Sequence, residues 1–208
     1  IIATGSVMQK LGIPGEEAFI GKGVSYYAKR DAEKFAGKRV LVIGGGNTTA
    51  KSALLAKGIA QDVILIHRRE TLRAYPAMVK KLEAAGIAIW YNTEAKEIRG
   101  GEQVESALLV NNKTGEEREM AIDWVVICVG TEPDTTLARS AGVEMDGNYV
   151  KVGRNMMTSK SGVFACGEII GRERHLITAA SEGALAGMSA SEYLALEKVK
   201  RGEMFAGA

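Results

Sequence analysis

The pattern of hydrophobic and polar positions is clearest between residues 38 and 67. Lys38–Ile43 ends in a run rich in β-branched side chains, which predicts a buried strand. The glycines Gly44–Gly46 follow, and then a helical pattern covers Asn47–Lys57, with Gly58 at the expected C-cap. The next apolar run is Asp62–His67. A strand, a glycine turn, a helix and another strand predict a βαβ crossover in a parallel sheet.

Beyond this crossover the pattern first continues the sheet and then changes. A helix is predicted over Pro76–Ala85, with proline at a tolerated first-turn position, and a third strand over Ile87–Tyr91. Turn signals then separate three short strands that predict an antiparallel meander: Ala95–Arg99, Val104–Val110 and Arg118–Ile122. The unbroken apolar run Trp124–Val129 predicts a buried strand that returns to the parallel sheet.

The two ends of the chain are less regular. Ile1–Gly5 resembles an apolar strand running into a turn, and the chain does not begin with Met, so we expect it to be the C-terminal part of something longer. The other expected features are a connector at Ser6–Lys22, a short helix or loop at Val24–Phe35, a turn and domain boundary at Gly130–Asp134, strands at Asn148–Val152 and Val163–Ala165, and a long alanine-rich helix at Leu176–Val199.

Composition excludes several classes of protein. The 208 residues include 27 Lys+Arg and 25 Asp+Glu, and the resulting charge of +2 argues against an electrostatic nucleic-acid binder. The longest uncharged run is Val40–Ala50, far below the ~20 residues of a membrane-spanning helix. Cys128 and Cys166 cannot form a disulfide framework, and their separation fits no metal motif. We therefore expect a cytoplasmic protein with no metal site.

The glycine turn is the first candidate site. Glycines between a strand and a helix let the backbone approach a pyrophosphate, and the helix N-terminus favours the negative charge. The residues concerned are Gly44, Gly45, Gly46, Asn47 and Thr48. The alternative is a glycine turn without a ligand.

The second candidate site is the basic segment after the second strand. An acid that would hold a ribose 2′-OH is expected ~20 residues after the glycines, but the residues there are His67, Arg68 and Arg69, followed by Arg73. Guanidinium groups bind phosphate through charge-assisted hydrogen bonds. The segment therefore predicts NADP(H) rather than NAD(H). The alternative is a solvated basic loop paired with Glu70.

These motifs, in order, resemble the low-molecular-weight thioredoxin reductases of the pyridine nucleotide-disulfide oxidoreductase superfamily. Two further stretches carry the resemblance, namely Gly-Thr-Glu-Pro-Asp-Thr at Gly130–Thr135 and Gly-Val-Phe-Ala-Cys-Gly-Glu at Gly162–Glu168. The resemblance implies an α/β fold, in which a Rossmann-like three-layer NADPH domain with an antiparallel β-meander is inserted in an FAD domain of the same type. Residues 1–14 would end the first FAD segment and form a connector, residues 15–132 would be the NADPH domain, and residues 133–208 the C-terminal FAD segment.

The resemblance also implies flavin contacts. Gly167 and Glu168 resemble a Gly-Asp pair that contacts the ribityl and phosphate portion of FAD, although Glu is one methylene longer. His175 lies where a helix N-terminus faces the isoalloxazine ring, and its alternative is a surface residue. The expected cofactor contacts in this part of the chain are Gly130, Gly167, Glu168, His175, Leu176 and Ile177. The family's first FAD fingerprint is missing from the sequence.

The redox-active Cys-x-x-Cys pair of thioredoxin reductases is also absent. By alignment Tyr27 and Arg30 occupy the two cysteine positions, and Asp31 matches the acid that follows them. Neither replacement provides the thiolate that disulfide exchange needs. Asp31 is a possible proton donor, with a solvated loop acid as the alternative, and Cys128 and Cys166 are expected to be small buried hydrophobic residues.

The motifs together predict an NADPH-dependent FAD oxidoreductase that passes electrons to an acceptor other than a resident disulfide. The acceptor would be a ferredoxin- or flavodoxin-type protein, another electron-acceptor protein or a small molecule, and the enzyme would be a homodimer. One alternative is a thioredoxin-disulfide reductase whose cysteines are supplied elsewhere. The other is a non-catalytic NADPH-binding sensor.

Overall fold

The computed structural model describes residues 1–202, so residues 203–208 of the expected 133–208 segment lie outside the described residues. The chain forms two compact units. The first unit consists of Ile1–Val7 and the chain from Thr131 onward, and the second is Met8–Gly130. The second unit is therefore inserted in the sequence of the first. Between residues 1 and 202, no helix is both long and apolar enough to cross a membrane.

The helices and strands have the following bounds. The strands are β1 (Ser6–Met8), β2 (Val24–Ser25), β3 (Arg39–Gly44), β4 (Asp62–Ile66), β5 (Ala88–Trp90), β6 (Thr93–Gly100), β7 (Val104–Asn111), β8 (Glu117–Ala121), β9 (Trp124–Cys128), β10 (Thr131–Pro133), β11 (Met145–Asp146) and β12 (Tyr149–Val150). The α-helices are α1 (Ala28–Asp31), α2 (Asn47–Lys57), α3 (Pro76–Ala84), α4 (Thr136–Ser140) and α5 (Leu176–Lys200). Two 3₁₀-helices cover Ala32–Phe35 and Gly167–Ile170.

The unit Met8–Gly130 has three layers around a parallel five-stranded sheet. The strand order is β2-β9-β3-β4-β5, and the antiparallel β6-β7-β8 meander is a separate sheet. Side chains alternate along β3, so that Val40 and Val42 pack in the same core as α2 and α3, while Leu41 and Ile43 pack in the core shared with the meander. This arrangement confirms the predicted Rossmann-like α/β fold with its meander.

The predicted crossover is confirmed in detail, whereas the segment before it is richer than expected. The helix Asn47–Lys57 has the predicted bounds. The expectation of a short helix or loop at Val24–Phe35 is incomplete, because β2 joins the parallel sheet beside β9 before α1 begins. With only two residues in the strand, hydrophobic periodicity cannot reveal it.

The expected connector Ser6–Lys22 also has defined structure. Its first residues form β1, and a buried carboxylate, Glu16, fixes the turn that follows. Glu16 accepts hydrogen bonds from the backbone N–H groups of Leu11 and Gly12 at 2.9 and 2.7 Å, and from the Tyr26 hydroxyl at 2.6 Å. Three donors satisfy a carboxylate that would otherwise be expensive to bury, and they tie Leu11, Gly12 and Tyr26 to one side chain.

The first unit contains short strands and one long helix. β1 pairs with β10, and β11 with β12. The turn expected at Gly130–Asp134 is therefore partly wrong, because Thr131–Pro133 is a strand. Ile2 and Ala165 form a single parallel bridge rather than the strands expected at Ile1–Gly5 and Val163–Ala165. The predicted long helix is confirmed as α5.

Candidate functional site

A cavity of about 270 Å³ lies at the carboxyl ends of β3 and β4, within the unit Met8–Gly130. This edge is where ligands bind in open parallel α/β sheets. Five of the predicted site residues line it, namely Gly44, Gly45, His67, Arg68 and Arg73. The glycine turn and the basic segment, which are separated in the sequence, therefore meet at one cavity.

The three glycines of the turn have different surroundings. A Cβ atom at Gly44 would lie 2.3 Å from the Cys128 carbonyl oxygen, and one at Gly45 would lie 2.2 Å from the His67 ring. A Cβ atom at Gly46 would meet no atom of residues 1–202 within 4 Å, and its φ of −97° suits any residue. Packing therefore explains the first two glycines, whereas the open space at Gly46 is what a ligand approaching the helix N-terminus requires.

The basic segment is tied to the glycine turn by two hydrogen bonds. The Arg73 backbone N–H donates to the Gly45 carbonyl at 2.7 Å, and the Tyr75 N–H donates to Asn47 Oδ1 at 2.8 Å. The Asn47 side chain is thus occupied, so that its backbone N–H, with that of Thr48, is the group available at the start of α2. These bonds fix Arg73 beside the turn.

The three arginines are exposed and have no acidic partner in the described part of the chain. Among residues 1–202, Arg68, Arg69 and Arg73 form no ion pair, and Glu70 contacts Lys113 Nζ at 3.3 Å instead. Glu70 therefore does not neutralise the arginines as that alternative expected, although their exposure agrees with its solvated basic loop. Three unpaired guanidinium groups beside an open glycine turn form a strong anion-binding feature.

His67 is buried beneath the glycine turn, with 5% of its surface exposed. Its Nε2 atom has no hydrogen-bond partner among the described residues, although the side chain lines the cavity. Burial lowers the pKa of His67, and the charges of Arg73 and Arg69 lower it further. Hydrogen bonds with the backbone of Thr71 and Gly44 raise the pKa but do not offset this lowering. The imidazole is therefore neutral near pH 7 and supports the turn without adding to the positive charge.

The positions of the missing cysteines hold a stacked cation. The guanidinium carbon of Arg30 lies 5.0 Å from the Tyr27 ring centroid, and both residues are exposed. Asp31 is 5% exposed and accepts hydrogen bonds from Ser25, Arg30 and Lys34 at 2.5, 3.0 and 3.0 Å. Burial raises the pKa of Asp31, but these bonds outweigh it and lower the pKa overall. The alternative interpretation of Asp31 as a solvated loop acid is therefore wrong. A carboxylate that stays ionised is also a poor proton donor.

The two cysteines that are present do not replace the pair. Burial raises the pKa of Cys128, whose thiol donates to the Ser52 hydroxyl at 3.4 Å, and this bond only partly offsets the effect. Burial also raises the pKa of Cys166, and the Glu182 carboxylate adds to the shift. Both thiols stay protonated near pH 7. Cys166 is buried as expected, whereas Cys128 is only half-buried, so the expectation of a buried side chain is wrong for Cys128.

The predicted flavin residues belong to the first unit, except for Gly130. Gly167 begins a 3₁₀-helix at φ +80°, and its N–H donates to the buried Glu182 carboxylate at 2.9 Å. His175 is the exposed N-cap of α5. Leu176 and Ile177 follow it with 89% and 77% of their surfaces exposed. Large apolar side chains at a helix N-terminus fit a planar ring with anionic character.

Sequence reasoning missed several residues of the cavity. Lys10 and Gln9 come from the connector, and Thr93, Glu94 and Ala95 from the first meander strand. Gly46, Asn47, Thr48 and Arg69 lie outside the cavity lining, at the adjoining turn and loop. No motif marks the missed residues of the connector and the meander, because the meander reaches the cavity only through the tertiary packing of its strands.

The fold and this cavity define a class of nucleotide-binding oxidoreductase, and comparison with known proteins identifies the family. A family model described as pyridine nucleotide-disulphide oxidoreductase matches residues 1–184, and the chain belongs to this family. This is a family of flavoproteins, and its thioredoxin reductases use FAD and NADPH. The resemblance drawn from the motifs is thereby confirmed.

The chain is also similar to individual members of known sequence and structure. The chain is 42% identical over 196 residues to the thioredoxin reductase of Treponema pallidum (strain Nichols), covering 93% of this chain and 64% of that protein. It is also 37% identical over 203 residues to the glucosaminate ammonia-lyase of Pseudomonas fluorescens, covering 93% and 63%. The crystal structure of Lactococcus lactis thioredoxin reductase superposes with a TM-score of 0.83 at 32% identity, covering 93% and 65%. The chain thus spans slightly under two thirds of these relatives.

Proposed function

We propose that this chain binds NADPH in the cavity beside the glycine turn and belongs to an NADPH-dependent FAD oxidoreductase. The observation that carries the proposal is the meeting of the open Gly46 position with three unpaired arginines. A pyrophosphate would take the N–H groups at the start of α2, and Arg68, Arg69 and Arg73 would hold the 2′-phosphate. The domain boundaries 15–132 and 133–208 belong to the same proposal.

In the first unit, Leu176 and Ile177 would hold the flavin ring, with Gly167, Glu168 and His175 close by. When bound, NADPH and FAD supply the hydride chemistry, and the protein's part is to orient them. The α5 N-terminus contributes a positive dipole end toward the ring. A homodimer and a cytoplasmic location stay predictions.

The acceptor is proposed to be something other than a resident disulfide, because Tyr27 and Arg30 have no thiol, Cys166 is buried and Cys128 is half-buried, and burial raises the pKa of both thiols. A redox protein of the ferredoxin or flavodoxin type, or a small molecule, satisfies this requirement. The test is NADPH oxidation by the full-length protein, with FAD added, against a one-electron dye and against thioredoxin.

We expect turnover with the dye and none with thioredoxin. Efficient thioredoxin reduction that survives Cys128→Ser and Cys166→Ser would favour the alternative of cysteines supplied elsewhere. Intact NADPH binding without flavin or turnover would favour the non-catalytic sensor.

The nucleotide choice has its own test. Each charge-assisted hydrogen bond to the 2′-phosphate contributes about 1.5–3 kcal/mol, so the Arg68→Ala, Arg69→Ala double variant should lose NADPH affinity strongly and NADH affinity little. Calorimetric titration with the two nucleotides measures both. Equal weakening toward both would mean that the arginines do not recognise the 2′-phosphate.

A further inference from the structure

The basic segment is also held by residues outside the glycine turn. The residues involved lie on the β7–β8 turn of the meander, at Asn112 and Lys113. Asn112 Nδ2 donates to the Arg68 carbonyl at 2.8 Å and to Glu94 Oε1 at 2.7 Å. The meander therefore contacts the backbone of an arginine whose side chain lines the cavity.

Neighbouring backbone groups extend this contact into a network. The Asn112 N–H donates to the Asn92 carbonyl at 2.7 Å, and the Asn92 N–H donates to the Arg69 carbonyl at 3.2 Å. Asn92 has a left-handed conformation with φ +51°, which asparagine tolerates better than most residues. The carbonyls of two successive arginines are thus fixed by groups outside the basic segment.

Lys113 on the same turn affects the charge near the arginines rather than the position of their backbone. Its ammonium contacts the Glu70 carboxylate at 3.3 Å, and Glu70 is the acid nearest in sequence to Arg69. While Glu70 is engaged by Lys113, it does not pair with the arginines. Lys113 therefore helps to leave the guanidinium groups available for an anion.

We propose that the β7–β8 turn determines nucleotide specificity, with Asn112 as a positioning residue for Arg68 and Lys113 as the partner that keeps Glu70 away from the arginines. This inference rests on the proposed NADPH binding. A flexible Arg68 backbone would have to be ordered by the 2′-phosphate, and that entropy would reduce the affinity for the phosphorylated nucleotide. A nucleotide without the 2′-phosphate would be affected little.

The experiment measures the dissociation constants of NADPH and NADH by calorimetry on the full chain. Asn112→Ala is the main variant, and Asn112→Leu repeats it with a side chain of similar shape. Thr114→Ala on the same turn is the matched control, because the Thr114 hydroxyl accepts only from the Glu116 N–H and does not contact the basic segment. We expect both Asn112 variants to reduce the NADPH preference about threefold to tenfold, the range of one lost neutral hydrogen bond.

A purely structural role would weaken both nucleotides equally or only lower the melting temperature. An unchanged ratio of the two dissociation constants in both Asn112 variants would therefore overturn the role of Asn112. If that ratio changes only in Arg68→Ala, the proposed function stands and this inference fails. If the wild-type chain does not prefer NADPH at all, both fail.

The role of Lys113 is tested by rescue. Lys113→Met should lower the NADPH preference by about twofold, as expected for an exposed ion pair, since Glu70 is then free to pair with the arginines. Adding Glu70→Gln to the same chain should restore the preference. A double variant that stays as weak as Lys113→Met would show that Lys113 does not act through Glu70.

Discussion

The open position at Gly46 gives the sharpest test of nucleotide binding, because it separates a binding effect from a folding effect. In Gly46→Val, the new Cβ enters space where no protein atom lies within 4 Å, so the fold has room for it. A ligand backed against the helix N-terminus does not have that room. We expect one or two charge-assisted hydrogen bonds to be lost at about 1.5–3 kcal/mol each, which means a loss of NADPH affinity of about tenfold for one weak bond and about ten-thousandfold for two strong ones.

Stability should change little in the same variant. Replacing an N-cap glycine by an apolar residue costs about 1 kcal/mol, and a protein of this size then melts about 2–4 °C lower. Gly45→Ala should instead lower the stability of the fold, because its Cβ would lie 2.2 Å from the buried His67 ring. Overpacking of this kind costs about 1–3 kcal/mol.

The assay pairs NADPH titration by calorimetry with thermal melting. Gly58→Ala at the far end of α2 is the matched control, since its Cβ would meet only the Leu55 carbonyl at an ordinary 3.6 Å. It should leave both measurements unchanged. Unaltered NADPH binding in a folded Gly46→Val variant would refute the assignment, and the glycine turn would then be structural only.

Two further predictions follow from buried groups. Asp31→Asn should destabilise the protein by about 1–3 kcal/mol at neutral pH, because the carboxylate loses charge-assisted bonds from Arg30 and Lys34. The folded-state pKa of Asp31 lies below its ordinary value of 3.8. The difference in free energy of unfolding between wild type and variant, measured in urea, should therefore disappear as the pH falls through that folded-state pKa. A difference that persists below it would exclude this mechanism. Cys128 and Cys166 should react with an aromatic disulfide at pH 7 more slowly in the native chain than after denaturation, since burial shields the sulfur atoms and raises the pKa of both thiols, and equal rates in the two states would contradict this.

Much of the fold can be predicted from the sequence, because its elements carry strong local signals. The βαβ crossover is marked by β-branched runs, three glycines and the helix Asn47–Lys57, and the meander by its turns. β2 and β1 cannot be predicted in this way, because strands of two or three residues are specified by the neighbours with which they pair. The same holds for the buried Glu16, whose three donors come together only in the folded chain.

In the candidate site, too, the residues with local sequence signals could be predicted and the tertiary contacts could not. The glycines and arginines could be predicted because a helix start and a strand end impose fixed spacing on them. Two features could not: the pairing of Glu70 with Lys113 rather than with Arg69, and the contact of Asn112 with the Arg68 carbonyl. Both depend on where the meander turn lies in space, and the sequence separation of 44 residues between Arg68 and Asn112 carries no periodic signal.

The stacked pair Tyr27 and Arg30 leads to a final prediction about the lost disulfide. Tyr27 is the N-cap of α1 and Arg30 lies in its last turn, so that cysteines at both positions would be one helical turn apart and exposed. In a chain carrying Cys128→Ser and Cys166→Ser, the variant Tyr27→Cys, Arg30→Cys should form an internal disulfide with oxidised glutathione. Thiol titration should then count two free thiols after reduction and none after oxidation, with the protein still monomeric on a non-reducing gel. The single variants Tyr27→Cys and Arg30→Cys serve as controls and should form only glutathione adducts or intermolecular disulfides. If the double variant does the same, these two positions do not have the geometry of a dithiol site, and the absence of cysteines would no longer be the only obstacle to disulfide chemistry in this part of the chain.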